Sequence, residues 1–491
     1  RPSKIVYSRY ESLICASPRH EMEVHVKVGA DENGIVKGIK VEALSNAGAY
    51  GDHSPTTIGL TGHKAIALYR NLEAYAFDYE VVYTNVQASG AYRGYGATQG
   101  IYAVESAVNE LAHKMNMDPA RIRELNMPIE GEPMYDYDGN LTHTASCTMD
   151  RCLARAKEMI GWDEKYPCRD MGNGKVRGVG LAMAMQGSSI ANVDVGGATL
   201  KLNEDASYTL SLGCADMGTG CDTILSQMAA DCLETEFENI VAFGVDTDVS
   251  PYDSGSYASS TAYLTGMAVV KTCESLKKKI LKKAAEYLNC SENELEFAGK
   301  TVRRLNAPEG EPAEITLKDI GNRAMCFNEE ALQATESHSS PVSPPPFMAG
   351  AAEVEIDKET GHIELLQFAA AVDCGTPLNE NLARVQTEGG LAQGIGMAMY
   401  EDVTYSDHGR VHENSFMQYK VPSRLDIGKV QVEFECSYEP TGPFGAKSIG
   451  EIVINTPSPA IANAVYNAVG VRIRELPITD EKIFMGIMGG R

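Results

Sequence analysis

Glycine is concentrated in short turns that sit against regular elements, and that distribution constrains this chain more than any average property. The runs are Gly90-Ala91-Tyr92-Arg93-Gly94-Tyr95-Gly96, Asp216-Met217-Gly218-Thr219-Gly220, Ser256-Tyr257-Ala258-Ser259-Ser260 and Gly442-Pro443-Phe444-Gly445-Ala446-Lys447-Ser448-Ile449-Gly450-Glu451. Glycine reaches backbone conformations closed to other residues, and a helix start leaves its first amides unpaired. Four such turns, one carrying an arginine and one ending in a carboxylate, point to a single large anionic ligand. Glu451, at the end of its glycine-hinged turn, is placed like a catalytic base.

Between the turns the sequence switches between two periods. Residues 22–30 alternate apolar and polar side chains, Asp31-Glu32-Asn33-Gly34 forms a turn, and 35–43 resume the alternation, which is a β-hairpin. Residues 81–86 read as another strand, and the glycine run after it leads into a helix over 98–115 with Ile101, Val104, Val108 and Leu111 in one stripe. Asp118-Pro119 opens a short helix as N-cap and first-turn proline. The polar stretch 128–148, with Glu130-Gly131-Glu132-Pro133 and Asp138-Gly139-Asn140, marks a boundary between a first domain, 1–135, and a second, 150–491. The second is expected to hold strand pairs at 195–202 with 207–213 and 351–356 with 362–370, a helix over 222–232 and a long helix over 261–288. The proline-rich run 339–346 reads as a rigid connector. Strand pairs and long helices without a βαβ rhythm argue for an α+β architecture.

Charge narrows the partners. A formal net charge of −24 repels nucleic acid unless a basic stripe overrides it. Lys277-Lys278-Lys279 with Lys282-Lys283 is the one candidate, and its spacing puts those lysines on the wet face of a helix with Leu276, Ile280, Leu281 and Ala284 turned inward. No window reaches the roughly 18 apolar residues of a membrane span, and Arg1-Pro2-Ser3-Lys4 has no signal-peptide character. Twelve irregularly spaced cysteines without a CxxC fit reduced thiols, hence a cytoplasmic setting. His408 and His412 flank a polar turn, not a helix that would align two metal ligands.

Taken singly, each glycine run has a plainer alternative. Gly94-Tyr95-Gly96-Ala97-Thr98-Gln99-Gly100 has the strand-to-helix setting of a dinucleotide loop, but its last glycine is one residue late and no acidic residue follows at the required offset. What remains is a set of helix-start amides joined by the donor fork of Arg93. The glycines at 218 and 220 and the hydroxyls of Ser259 and Thr261 suit phosphate or pterin oxygens, or serve as N-caps. The run Gln386-Thr387-Glu388-Gly389-Gly390-Leu391-Ala392-Gln393-Gly394 is helical in spacing yet glycine-heavy, which implies close backbone packing. Arg19-His20 is undistinctive by spacing alone.

As a set, Ala91-Tyr92-Arg93-Gly94-Tyr95-Gly96, Asp216-Met217-Gly218-Thr219-Gly220, Tyr257-Ala258-Ser259, Gln386-Thr387-Glu388-Gly389 and Gly445-Ala446-Lys447-Ser448-Ile449-Gly450-Glu451 resemble the molybdenum-binding subunit of the xanthine dehydrogenase family, in order and interval, over the whole chain. The resemblance implies the molybdenum-binding fold of the xanthine dehydrogenase/aldehyde oxidoreductase type: two elongated mixed α/β subdomains with the cofactor between them. It implies a molybdenum–pyranopterin, in mononucleotide or cytosine-dinucleotide form, with no side-chain ligand to the metal. Glu451 would be the base toward the metal's hydroxide. Arg93 and Ala258 would line the molybdenum, and Met217, Gly218, Thr219, Ser259, Thr261, Gln386 and Gly450 would hold the pterin or its phosphate. Tyr95 matches a ring that flanks the substrate, and Arg19 an arginine that steadies negative charge on a purine.

The sequence also departs from that family. Thr219 stands where glutamine is common. Ser188 aligns with a second aromatic that sandwiches xanthine, and a serine cannot stack. The implied reaction is hydroxylation of a purine-like N-heterocycle, xanthine or hypoxanthine, with water as the oxygen source. Nicotinate or an aldehyde is the alternative within this chemistry, and a non-catalytic family scaffold the alternative outside it. The run 91–96 lacks the cysteine and serine of carbon monoxide dehydrogenases. Because the start resembles the middle of the family's subunit, a split or truncated subunit is expected. Its partners would be a chain with the N-terminal part, a [2Fe-2S] subunit and an FAD subunit.

Overall fold

Side-chain alternation at 22–30 is realised as strand Met22–Ala30, antiparallel to Val36–Gly48. Asp31 closes the turn, its Oδ1 accepting from the amides of Asn33 at 3.0 Å and Ile35 at 2.9 Å. The third strand is Ala74–Tyr83, parallel to Val36–Gly48, rather than 81–86. Its end is set by its partner's end at Gly48, whose carbonyl takes the Thr84 amide, and not by the apolar run the sequence shows. The computed structural model describes residues 3–135, 139–326 and 329–489; Arg1, Pro2 and Asp138, used in the sequence reading, lie outside them.

Helix Ala97–Lys114 buries Ile101, Val104 and Val108 and leaves Leu111 partly covered. Asp118 caps helix Pro119–Asn126 through the Ala120 amide at 2.7 Å. Helix Ser54–Ile66, which no sequence signal announced, packs against Ala97–Lys114. Among the described residues of 128–148, the one β ladder is that of Pro133–Tyr135 and Leu141–His143.

The central sheet has five strands in the order Lys429–Phe434, Ile363–Asp373, Phe347–Asp357, Lys175–Met185, Cys168–Gly172. Phe347–Asp357 is buried at every residue but its last, so both of its faces must be covered. Helices Met149–Ile160 and Pro457–Val469 supply the cover. The second lies almost on the sheet backbone: a Cβ at Gly178 or Gly180 would come within 2.4 Å or 2.3 Å of the Ala464 or Ala460 carbonyl oxygen, so these positions admit glycine alone.

Two hydrophobic cores result. One gathers side chains from Val36 to Ile483 around the five-stranded sheet; the other is confined to 198–334. The second core lies under the sheet Ile240–Gly244, Tyr208–Leu212, Gly196–Leu202, Gln333–His338 and its helices Cys221–Cys232 and Gly266–Leu288. The long helix does not run unbroken from 261. A single wide π turn, Thr261–Thr265, precedes it, and such turns concentrate at functional sites. Lys278, Lys279 and Lys282 are exposed while Leu276, Ile280 and Ala284 are buried; Leu281 is only half-buried. Among the described residues, no helix is long and apolar enough to cross a membrane.

Candidate functional site

The loops that matter lie where the two cores meet. In the run 90–96, Gly94, Tyr95 and Gly96 all take positive φ, of 89°, 40° and 86°, so the chain coils sharply before helix Ala97–Lys114. The Gly94 amide donates to Glu451 Oε1 at 3.2 Å. From a third place in the chain, Ser259 Oγ donates to Glu451 Oε2 at 2.9 Å. Ala258 and Ser259 both sit at left-handed φ, 51° and 58°, a conformation non-glycine residues adopt at a cost and usually for function. Three loops distant in sequence therefore share one carboxylate.

Arg93 fastens this junction. Its Nε donates to the Gly450 carbonyl at 2.5 Å, Nη1 to Gln393 Oε1 at 2.9 Å, and Nη2 to the carbonyl and Oε1 of Gln386 at 3.3 and 3.2 Å. Gln386 and Gln393 lie on helix Glu380–Met399, which is the glycine-heavy run of the sequence. The loop 216–220 reaches the start of the same helix, where a Cβ at Gly220 would meet Leu382 at 2.9 Å.

Burial is the largest influence on Glu451 and raises its carboxyl above the ordinary range. The Ser259 hydroxyl, the Gly94 amide and the charges of Arg93 and Arg19 pull in the other direction without cancelling it. A base that must be ionised yet retain proton affinity needs such a balance. Burial likewise lowers Arg93 and brings Arg19 down to about 10.

The other expected residues fall in four places. Met217, Gly218, Thr219, Ala258 and Thr261 belong to loops at the edge of the second core. Met217 is 68% exposed, a Cβ on Gly218 would meet nothing within 4 Å, and Thr261 Oγ1 is buried with no hydrogen-bond partner among the described residues. Tyr95 turns its hydroxyl to His53 Nδ1 at 2.6 Å and Thr56 Oγ1 at 2.8 Å. Arg19 lies behind Arg93, donating to its carbonyl at 2.6 Å and to Thr98 Oγ1 at 3.3 Å, with its guanidinium over the Tyr92 ring. Ser188 is buried between loops. It is 0% exposed, donates to the Pro344 carbonyl at 2.6 Å and accepts the Ser448 amide at 3.0 Å, so it ties loops together.

Several contributors escaped the sequence reading. Asp216 shapes its loop by accepting from the amides of Gly218 at 2.8 Å, Gly220 at 3.2 Å and Asp222 at 3.4 Å. Burial pushes its carboxyl up, but those amides outweigh it and hold the group below the usual range. An aspartate two residues before glycine is the signal that could have found it. Lys447 is buried with Asp373, both 0% exposed and 2.8 Å apart. His53 and Lys64, on or beside helix Ser54–Ile66, carry no local signal.

The family models for the molybdopterin cofactor-binding domain match residues 1–127 and 155–428. A protein of Escherichia coli K12 named "Probable hypoxanthine oxidase XdhD" is 33% identical over 99% of this chain and 51% of its own length. The xanthine dehydrogenase molybdenum-binding subunit of E. coli O157:H7 is 31% identical over 98% of this chain and 64% of its own. The chain thus spans about half to two thirds of the curated relatives it matches. In fold it is similar to quinoline 2-oxidoreductase of Pseudomonas putida 86, at a TM-score of 0.87 and 23% identity over 98% of this chain and 64% of that one. It is similar also to the aldehyde oxidoreductase of Desulfovibrio gigas, at 0.81 and 24% over 98% and 51%. The chain belongs to the molybdopterin cofactor-binding family, the molybdenum-binding part of xanthine dehydrogenase-type molybdenum hydroxylases.

Proposed function

We propose that this chain carries the catalytic base and most of the cofactor cradle of a molybdenum hydroxylase acting on a purine-like N-heterocycle. One observation carries the reading: Glu451 is held at once by an amide from the 90–96 loop and a hydroxyl from the 257–261 loop. In the reaction, oxygen from water joins an electron-poor carbon, the C–H bond breaks, and two electrons leave the substrate. Glu451 accepts the proton of the attacking oxygen, while Gly94 and Ser259 keep the carboxylate oriented.

The residues fit the group. A pterin offers many acceptors and a phosphate, so its site must leave donors unspent and backbone uncovered. Thr261 Oγ1 is such a donor, and a Cβ at Gly218 or Gly389 would enter open space. Met217, Gly218, Thr219, Ser259, Thr261, Gln386 and Gly450 would hold the pterin, with Arg93 and Ala258 toward the molybdenum. Bound there, the molybdenum–pterin would supply the two-electron oxidant. Residues 1–135 and 150–491 act in this reading as two cofactor-binding halves. The first gives Arg93 and Tyr95; the second gives Glu451, Gln386 and the loops of the second core.

Relatives bear names that include a hypoxanthine oxidase and a nicotine 6-hydroxylase large subunit, which supports an N-heterocycle over an aldehyde. Tyr95 would flank the ring. The pterin, in mononucleotide or cytosine-dinucleotide form, and [2Fe-2S] and FAD subunits that take the electrons complete the proposal.

The test uses the purified complex with a redox dye and a panel of purines, nicotinate and aldehydes. Glu451→Gln should keep its molybdenum and lose about 10²–10⁴-fold in dye reduction; unchanged reduction sinks the base assignment and favours a non-catalytic scaffold. Arg19→Gln should depress purine turnover while sparing aldehyde. Equal loss of both would assign Arg19 to holding the Arg93 loop instead.

A further inference from the structure

Two of the segments that share Glu451 run side by side in register. Arg93 Nε donates to the Gly450 carbonyl at 2.5 Å, and the Gly94 amide to Glu451 Oε1 at 3.2 Å. A third link follows four residues further along each segment, where Thr98 Oγ1 donates to Asn455 Oδ1 at 2.9 Å. All three join residues 357 apart in sequence, so 93–98 is laced to 450–455 without slippage. The reaction as described uses the first two links and not the third.

Thr98 and Asn455 are buried, and Arg19 decides which way their polar atoms point. A guanidinium only donates, so Thr98 Oγ1 accepts from Arg19 Nη1 at 3.3 Å and turns its one proton to Asn455. Asn455 then presents its carbonyl oxygen to Thr98, which leaves its amide for Gln186 Oε1 at 3.3 Å. Gly94 is packed against this link: a Cβ there would stand 2.2 Å from Thr98 Oγ1 and 2.9 Å from Asn455 Oδ1. On the other segment, Asn455 ends the short turn that begins at Glu451. The Ile454 amide donates to the Glu451 carbonyl at 3.3 Å, and the Asn455 amide to the Ile452 carbonyl at 3.1 Å. The link thus abuts the residue that donates to the base and ties down the turn that carries it.

We propose that Thr98 and Asn455 are positioning residues for the hydroxylation, their hydrogen bond holding the Gly94 amide on the Glu451 carboxylate. This rests on the reading of Glu451 as the base. The Gly94 amide favours the ionised carboxylate. Without the link the two segments part at one end and that amide loosens its hold. The carboxyl then rises further, and the base swings away from the oxygen whose proton it takes.

Dye reduction across pH tests it on the purified complex, with the member of the purine, nicotinate and aldehyde panel that the parent turns over fastest. Thr98→Val and Asn455→Leu should each lower kcat about ten- to hundred-fold and leave KM within about threefold. Each should also move the acidic limb of the kcat/KM profile to higher pH, by about half a unit or more. Thr98→Ser keeps the hydroxyl and should restore the parent limb and most of the rate. Both substitutions cut one bond, so the double variant should lose no more than either alone. A role in folding alone would lower activity and leave the limb in place; that result overturns the proposal, as does a Thr98→Ser variant that fails alongside Thr98→Val. Glu451→Gln judges the base separately, because a parental rate there refutes that reading. A crystal structure of Thr98→Val still decides the link: a Gly94 amide drawn beyond about 3.5 Å from Glu451 supports it, and an unmoved amide overturns it.

Discussion

The two sides of the site are built on opposite principles. On the side of the first core, polar groups are paired within the protein: Arg93 spends its donors on Gly450, Gln386 and Gln393, and Lys447 is locked to Asp373 beneath the Glu451 turn. On the side of the second core, the loops 216–220 and 257–261 are ordered in shape but left open, with Met217 exposed and the Thr261 hydroxyl unmatched. An unpaired buried hydroxyl costs about 1–3 kcal/mol, so a chain that keeps one is expected to recover that cost from a ligand. The contrast separates labour: the clasp prepares a base in advance, and the cradle waits for the cofactor to complete it.

The most severe way to break the contrast is to remove the clasp's foundation. Lys447 donates to Asp373 Oδ2 at 2.8 Å and to the Ser146 carbonyl at 3.3 Å, and Asp373 also takes the amides of Thr148 and Gly375 and the Ser437 hydroxyl. Replacing one partner of a fully buried pair strands the other charge, so Lys447→Met should cost about 3–5 kcal/mol of stability. Urea unfolding followed by circular dichroism reads this directly. A loss under about 1 kcal/mol would mean the buried pair is not what braces the turn.

A smaller effect sharpens the electrostatics. Glu451 works ionised, and burial has raised its carboxyl, so activity should rise with pH through a value above the ordinary carboxylate range. The Ser259 hydroxyl favours the ionised form. Ser259→Ala therefore raises the carboxyl further and moves the acidic limb of the kcat/KM profile to higher pH, with the high-pH plateau reduced less than the low-pH rate. A limb that stays still, or moves to lower pH, would detach Ser259 from the base.

How much of this the sequence carried follows from range. Local physics was legible: the 22–48 hairpin from its alternation, the Asp118 cap from its proline, the helix after residue 96 from its stripe. So was the set of glycine turns, because positive φ and bare amides select residue types wherever they occur. What could not be read was pairing at a distance. Nothing near Ser188 says that its hydroxyl ties the Pro344 carbonyl to the Ser448 amide, and nothing near Arg19 says that it donates to the Arg93 carbonyl. Residues 54–66 mix Pro, Thr and Gly and carry no strong helix signal, yet packed against Ala97–Lys114 they are a helix.

The smallest expected effect is the sharpest test of the cradle, because its sign depends on what is bound. Thr261 begins the wide turn ahead of Gly266–Leu288, with its hydroxyl buried and unmatched. Thr261→Val keeps the shape and removes the polar atom, so the cofactor-free protein should be unchanged or more stable by about 1 kcal/mol. The loaded protein should instead lose a donor to the pterin, hold its molybdenum less tightly during dialysis, and melt lower than the parent. Opposite signs in the two forms are what a preformed, waiting cradle demands. Equal destabilisation of both would give the Thr261 hydroxyl a partner within the fold, and the second side of the site would then be as self-sufficient as the first.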